Sequence, residues 1–155
     1  MNRTIIKLFF YLCILTALPS YAQNAVHYYF KTMDIRNGLS QNTVYQILQD
    51  RKGFMWFGTK DGLNRYDGLS YRVYKKENSG LGKNFITALY EDHEGNIWIG
   101  TDGGVFIYNP VLDSFTAFNQ TSDKGTVIKD FVTMIGSDEY DNIWISVENQ
   151  GLFCY

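Results

Sequence analysis

The sequence has 155 residues, 45% of them hydrophobic and 17% aromatic, with 14 Gly against 2 Pro. That length holds one domain, the hydrophobic share excludes a disordered chain, and the aromatic excess leans toward half-buried pleated surfaces. With 14 Lys+Arg against 16 Asp+Glu and no basic stripe, nucleic acid is excluded as an expected partner.

Residues 1–22 read as a secretory signal peptide. Arg3 and Lys7 precede an apolar run from Leu8 to Leu18, and Ser20 and Ala22 are the small residues of a cleavage site. Cleavage after Ala22 leaves Gln23 first and takes the balance to 12 Lys+Arg against 16 Asp+Glu. The apolar run falls short of the roughly 20 residues a spanning helix needs, so an uncleaved anchor is the weaker reading. No membrane span is expected after the cleavage site. Cys13 lies in this segment, which leaves Cys154 alone and excludes a disulfide framework or a Cys-based metal site. Residues 27–33, with Tyr28, Tyr29 and Phe30, read as an orphan outer strand.

From Val44 onward the chain repeats itself. Val44 to Thr59, Ile86 to Thr101 and Val132 to Val147 align, each with an aliphatic residue twelve positions before a Trp and an Asp six before it. The tryptophans Trp56, Trp98 and Trp144 are 42 and 46 residues apart. Strands are predicted near 44–49, 54–58, 63–66 and 70–75, and again near 86–91, 96–100, 104–108 and 114–118, with turn signals between them. Four short strands in such a period is one β-propeller blade. The chain is therefore expected to be all-β, a partial propeller of about three four-stranded antiparallel blades over 23–155. The blades fall near 37–78, 79–122 and 123–155, the third lacking its outer strand. Because propellers close with four to eight blades, the reading is of part of a longer protein. Its uncovered faces would meet the remaining blades or another copy of the chain.

The recurring residues have structural work to do. Asp50, Asp92 and Asp138 stand where a carboxylate can accept the amides of a tight hairpin. Gly53 and Gly95 supply positive φ, while Trp56, Trp98 and Trp144 are placed to pack between blades. Gly58 and Gly100 permit close approach. In the third repeat Asp141 replaces the turn Gly and Ser146-Val147 replaces Gly-Thr, so a looser hairpin is expected there. Arg65 and Asp67 are candidates for an interblade ion pair.

With these residues in view the chain resembles the two-component regulator propeller repeat. The most specific stretches are Gly53 to Gly68 and Gly95 to Thr101, and the likeness runs from Asn37 through Tyr155. The resemblance implies a periplasmic sensor region of a hybrid two-component histidine kinase. The parent would be anchored in the inner membrane, with the propellers helping to sense carbohydrate breakdown products, so an oligosaccharide is the implied ligand. The kinase activity is not carried over, since neither His27 nor His93 lies in a helical phosphoacceptor setting.

Other functions are weaker. The Asp-x-x-Gly-x-x-Trp spacing is loosely similar to sialidase turns. A glycosidase would need an arginine cluster or paired carboxylates across a sugar, and Arg36, Arg51, Arg65 and Arg72 show no convergence in sequence. Asp92, Glu94 and Asp102 match no complete calcium loop. Tyr66, Tyr71 or Tyr108 could stack on a sugar in a stand-alone binding or protein-interaction module, although aromatics at strand spacing are more often core. No catalytic, cofactor or metal residue is expected.

Overall fold

The computed structural model describes Arg3, residues 28–123 and residues 125–155. The chain divides into two compact units, Met1–Lys31 and Thr32–Tyr155. The expected signal segment, with Ala22 and Gln23, and also His27, lie outside the described residues. Residues 28–33, expected as an outer strand, form no strand, and Tyr28, Tyr29 and Phe30 are exposed. A strand requires a paired neighbour, and none of the described sheets includes this segment.

Thr32–Tyr155 is built from three antiparallel sheets. The first contains β1 (Val44–Gln49), β2 (Met55–Thr59), β3 (Gly62–Tyr66) and β4 (Tyr71–Tyr74) in sequence order. A short helix α1 (Lys76–Ser79) leads to the second, β5 (Ile86–Glu91), β6 (Ile97–Thr101), β7 (Gly104–Asn109) and β8 (Ser114–Ala117), again in order. The third has three strands, β9 (Val132–Ser137), β10 (Ile143–Val147) and β11 (Gly151–Cys154). The first strands β1, β5 and β9 pack against one another from sheet to sheet. This is blade stacking: sheets meet face to face with their first strands converging. The fold is a partial propeller.

Pairing registers repeat as closely as the sequence does. Trp56 pairs with Leu48 and Arg65, Trp98 with Tyr90 and Ile107, and Trp144 with Gly136 and Cys154. A bulge lies between Val44 and Gln46 and again between Ile86 and Ala88. The core is interfacial. One cluster, with Trp56, Leu63, Tyr74, Leu81, Ile86 and Tyr108, lies between the first two sheets. The other, with Trp98, Val105, Phe118, Ile128, Val132 and Ile145, lies between the second and third.

A further repeat precedes the first strand of each of the first two sheets. Asp34 opens a 3-10 turn at Ile35–Asn37, where its backbone N–H donates to the Asn37 side chain at 3.0 Å. Before α1 the Lys75 N–H donates likewise to Asn78 at 2.7 Å. Gly38 and Gly80 stop these turns with φ of +108° and +78°, a conformation that favours glycine. Leu39 and Leu81 then bury themselves. The side-chain oxygens of Asn42 and Asn84 accept the N–H of Ile35 at 3.0 Å and of Lys76 at 2.7 Å. These turns are too short to show helical periodicity, which is why strand-focused reading passes over them.

Candidate functional site

The residues singled out by the repeat meet at the β1–β2, β5–β6 and β9–β10 hairpins. Asp50 Oδ1 accepts the N–H groups of Lys52 and Phe54 at 3.0 and 2.9 Å, while Oδ2 accepts the Trp56 indole N–H at 2.8 Å. Asp92 does the same for Glu94, Asn96 and Trp98 at 3.0, 2.9 and 2.8 Å. Asp138 takes Tyr140, Asn142 and Trp144 at 2.9, 3.0 and 3.0 Å. One carboxylate thus shapes the turn and orients the Trp, which explains the spacing of six. Burial pushes Asp92 up, but hydrogen bonds from Trp98 and Asn96 outweigh it and hold the group below its ordinary value. The Asn142 amide and the Trp144 indole bring Asp138 down to about 2.

Gly53 and Gly95 adopt φ of +87° and +84°, and Asp141 accepts +64° in the same place. The third hairpin was expected to be looser, yet it keeps every turn bond. Its backbone pair, Asp138 N–H to Asn142 and Asp141 N–H to Asp138, lengthens only to 3.2 and 3.3 Å. Aspartate tolerates the left-handed region better than most residues, so the turn survives loss of the glycine.

Trp56 and Trp98 each join an aromatic triad across sheets. Trp56 meets Tyr74 of its own sheet and Tyr108 of the next, with centroids at 6.0 and 5.0 Å. Trp98 meets Phe118 and Tyr155 at 5.1 and 6.0 Å. Trp56 and Trp98 are only 1% and 4% exposed, whereas Trp144 is 37% exposed because no described sheet follows it. Gly58 and Gly100 sit under these contacts. A Cβ on either would come within 2.7 Å of Ile86 Cγ2 or Val132 Cγ1 in the following sheet.

One polar cluster lies across the first interface only. Arg65 Nη1 donates to the Tyr108 hydroxyl at 2.9 Å, and that hydroxyl donates to Asp113 Oδ1 at 2.7 Å. Tyr74 donates to the same oxygen at 3.2 Å, and Arg72 pairs with Asp113 Oδ2 at 2.5 Å. The Tyr108 hydroxyl holds the Asp113 carboxyl below its ordinary value, and burial pushes Tyr74 and Tyr108 up. Asp67 is not the partner of Arg65. It caps its own turn, accepting the N–H groups of Leu69 and Ser70 at 2.8 and 2.7 Å. Arg65 and Arg72 do converge, but on the Asp113 carboxylate, which offsets their charge. Arg36 turns to Asp34, and Arg51 to the carbonyls of Asp92 and His93. The cluster was not legible in the repeat because Ile107 occupies the Arg65 position in the second sheet.

Of the tyrosines suggested for stacking on a sugar, Tyr108 is buried in the interface. Tyr66 and Tyr71 pack on each other at 4.7 Å. A cleft of about 420 Å³ between the second and third sheets is lined by Asp92, Asn96, Trp98, Asn119, Asp141 and Tyr155. It combines carboxylates, amides and aromatic edges.

The family model described as "Two component regulator propeller" matches residues 38–61 and 80–103. Each stretch opens on the glycine that stops a helical turn and closes just past the β2 or β6 Thr. A histidine kinase of Formosa agariphila is 42% identical over 59 residues, covering 38% of this chain and 4% of the kinase. A solved extracellular domain of a hybrid two component system from B. thetaiotaomicron superposes with a TM-score of 0.69 at 30% identity, over 79% of this chain and 18% of that one. A surface component of the type-IX secretion system of Porphyromonas gingivalis gives a TM-score of 0.56 at 17% identity, over 74% of this chain and 20% of its own, a likeness of fold alone. The chain spans under a fifth of the kinase and of the B. thetaiotaomicron domain.

Proposed function

We propose that this chain, which carries two-component regulator propeller repeats, is an extracytoplasmic sensory propeller segment of a hybrid two-component regulator and contributes to carbohydrate-responsive signalling. The observation that carries the reading is the agreement between the repeat and the relatives: 30% identity to an extracellular domain of such a system over 79% of this chain. In this reading the segment is periplasmic after cleavage at Ala22, and it does no chemistry of its own. Asp50, Asp92 and Asp138 are each engaged by turn amides and an indole, so their role is to set blade geometry. The cleft beside Trp98 and Asn119 offers hydrogen-bonding groups and an aromatic edge, a lining that suits a polyhydroxylated ligand.

The test is genetic. A strain whose parent gene lacks residues 37–155 should lose transcriptional induction by one polysaccharide while growing normally on simple sugars. Unchanged induction across a panel of polysaccharides overturns the reading. Turnover of chromogenic glycosides by the purified chain would replace it with an enzymatic one.

A further inference from the structure

Three aromatic side chains stand outside both interfacial cores. Tyr45 is the second residue of β1, while Phe85 and Phe131 immediately precede β5 and β9. Their rings follow one another from sheet to sheet, with centroids 4.8 Å apart from Tyr45 to Phe85 and 5.6 Å apart from Phe85 to Phe131. Tyr45 is exposed and the two phenylalanines are half-buried. They form an aromatic strip at the leading ends of the first strands, one ring from each sheet.

A buried hydroxyl shares this register. Tyr45 and Thr87 are the bulged residues of β1 and β5, so Thr87 stands to Phe131 as Tyr45 stands to Phe85. Thr87 is only 7% exposed, and its Oγ1 has no hydrogen-bond partner among the described residues. A polar group so placed calls for a partner from outside the fold. Charged residues edge the strip. Lys60 Nζ lies 5.8 Å from the centroid of the Phe85 ring, and the Lys83 side chain lies over Gly103. The backbone N–H groups of Asp102 and Glu148 donate to the carbonyls of Phe85 and Phe131 at 3.3 and 2.8 Å, which sets both acidic residues beside the rings. Asp61 is withdrawn from this edge by its pairing with Lys75 at 2.6 Å. Two lysines against two carboxylates give no net attraction for a ligand of either sign, yet they supply donors and acceptors at close range. A sugar ring is built to match, with an apolar C–H face for the aromatic rings and hydroxyls around its perimeter.

We propose that the strip of Tyr45, Phe85 and Phe131, together with the Thr87 hydroxyl, binds a neutral oligosaccharide across the leading ends of the first strands. The ligand class rests on the carbohydrate-sensing reading, whereas the site shares no residue with the cleft beside Trp98.

Titration calorimetry on the full chain tests this with neutral hexasaccharides of glucose, mannose and xylose. An oligogalacturonate serves as the acidic probe, and a proline-rich peptide as the other occupant an aromatic surface can take. At least one neutral hexasaccharide is expected to bind, more tightly than either of these. Tyr45→Ala, at an exposed position, and Thr87→Val, which keeps the shape and removes the hydroxyl, are each expected to weaken it at least about tenfold. Tryptophan fluorescence during urea unfolding confirms that both variants keep the fold. No neutral sugar bound, preference for the oligogalacturonate or the peptide, or binding unmoved by both substitutions overturns the proposal. The same Tyr45→Ala change in the parent gene separates the two readings. Induction lost on deleting residues 37–155 but kept in Tyr45→Ala leaves the sensory reading standing and removes this site. Sugar binding by the chain with induction unchanged on deletion does the reverse.

Discussion

Asp92 accepts two backbone amides, the Asn96 amide and the Trp98 indole, and it is buried. Replacing it with Ala strands those donors, at a cost of about 1–3 kcal/mol, read as a lower urea midpoint by tryptophan fluorescence. Acid should act in the same direction. The folded values of Asp92 and Asp138 lie below the ordinary carboxylate value, so the unfolded chain binds protons first. The stability they contribute is then present above about pH 4 and is lost as pH falls through the folded values. Asp92→Asn should flatten that part of the pH profile, and an unchanged profile would show that other carboxylates set acid sensitivity. The turn-capping role of these residues is legible in sequence because it is local. Their grip on the indole needs the hairpin to fold back, and the link of Arg65 to Asp113 spans two sheets without recurring in the second interface.

Among elements, the strands were legible to within about a residue because alternation and turn residues encode them locally. The turn-Gly-Leu-x-x-Asn segments ahead of β1 and β5 were not, although they place Leu39 and Leu81 in the core. Their order comes from side-chain caps on single turns, which leave no periodic trace. Gly58 and Gly100 show how tightly strands of successive sheets approach. Gly100→Ala forces a Cβ against Val132 Cγ1 and Ala88 Cβ, at 2.7 and 2.9 Å. The expected loss is about 1–3 kcal/mol. Val132→Ala should recover part of it, a coupling that a double-mutant cycle on urea midpoints would detect. Additive losses would place the strain on Ala88 instead.

In the whole molecule, identical sequence positions do not have identical worth. Trp98→Ala opens a buried interface and should cost about 3–5 kcal/mol. Trp144→Ala, at the same register on a face that is partly open, should cost less than about 1.5 kcal/mol. Equal losses in chemical denaturation would mean that Trp144 is covered in solution. Sequence alone ranks the two alike, since burial depends on what stands beyond the third sheet. The stacking of β1 on β5 and β5 on β9 has a mechanical consequence. Among the described residues the main contacts between sheets are those of neighbours, so the assembly resembles a row of coupled units more than one indivisible body. Pulled by its ends, such a chain should yield in discrete steps. With tryptophans 42 and 46 residues apart, rupture of either four-stranded sheet should release roughly 140–160 Å of contour, and rupture of the shorter third sheet less. A tether held in an optical trap would count the blades one at a time.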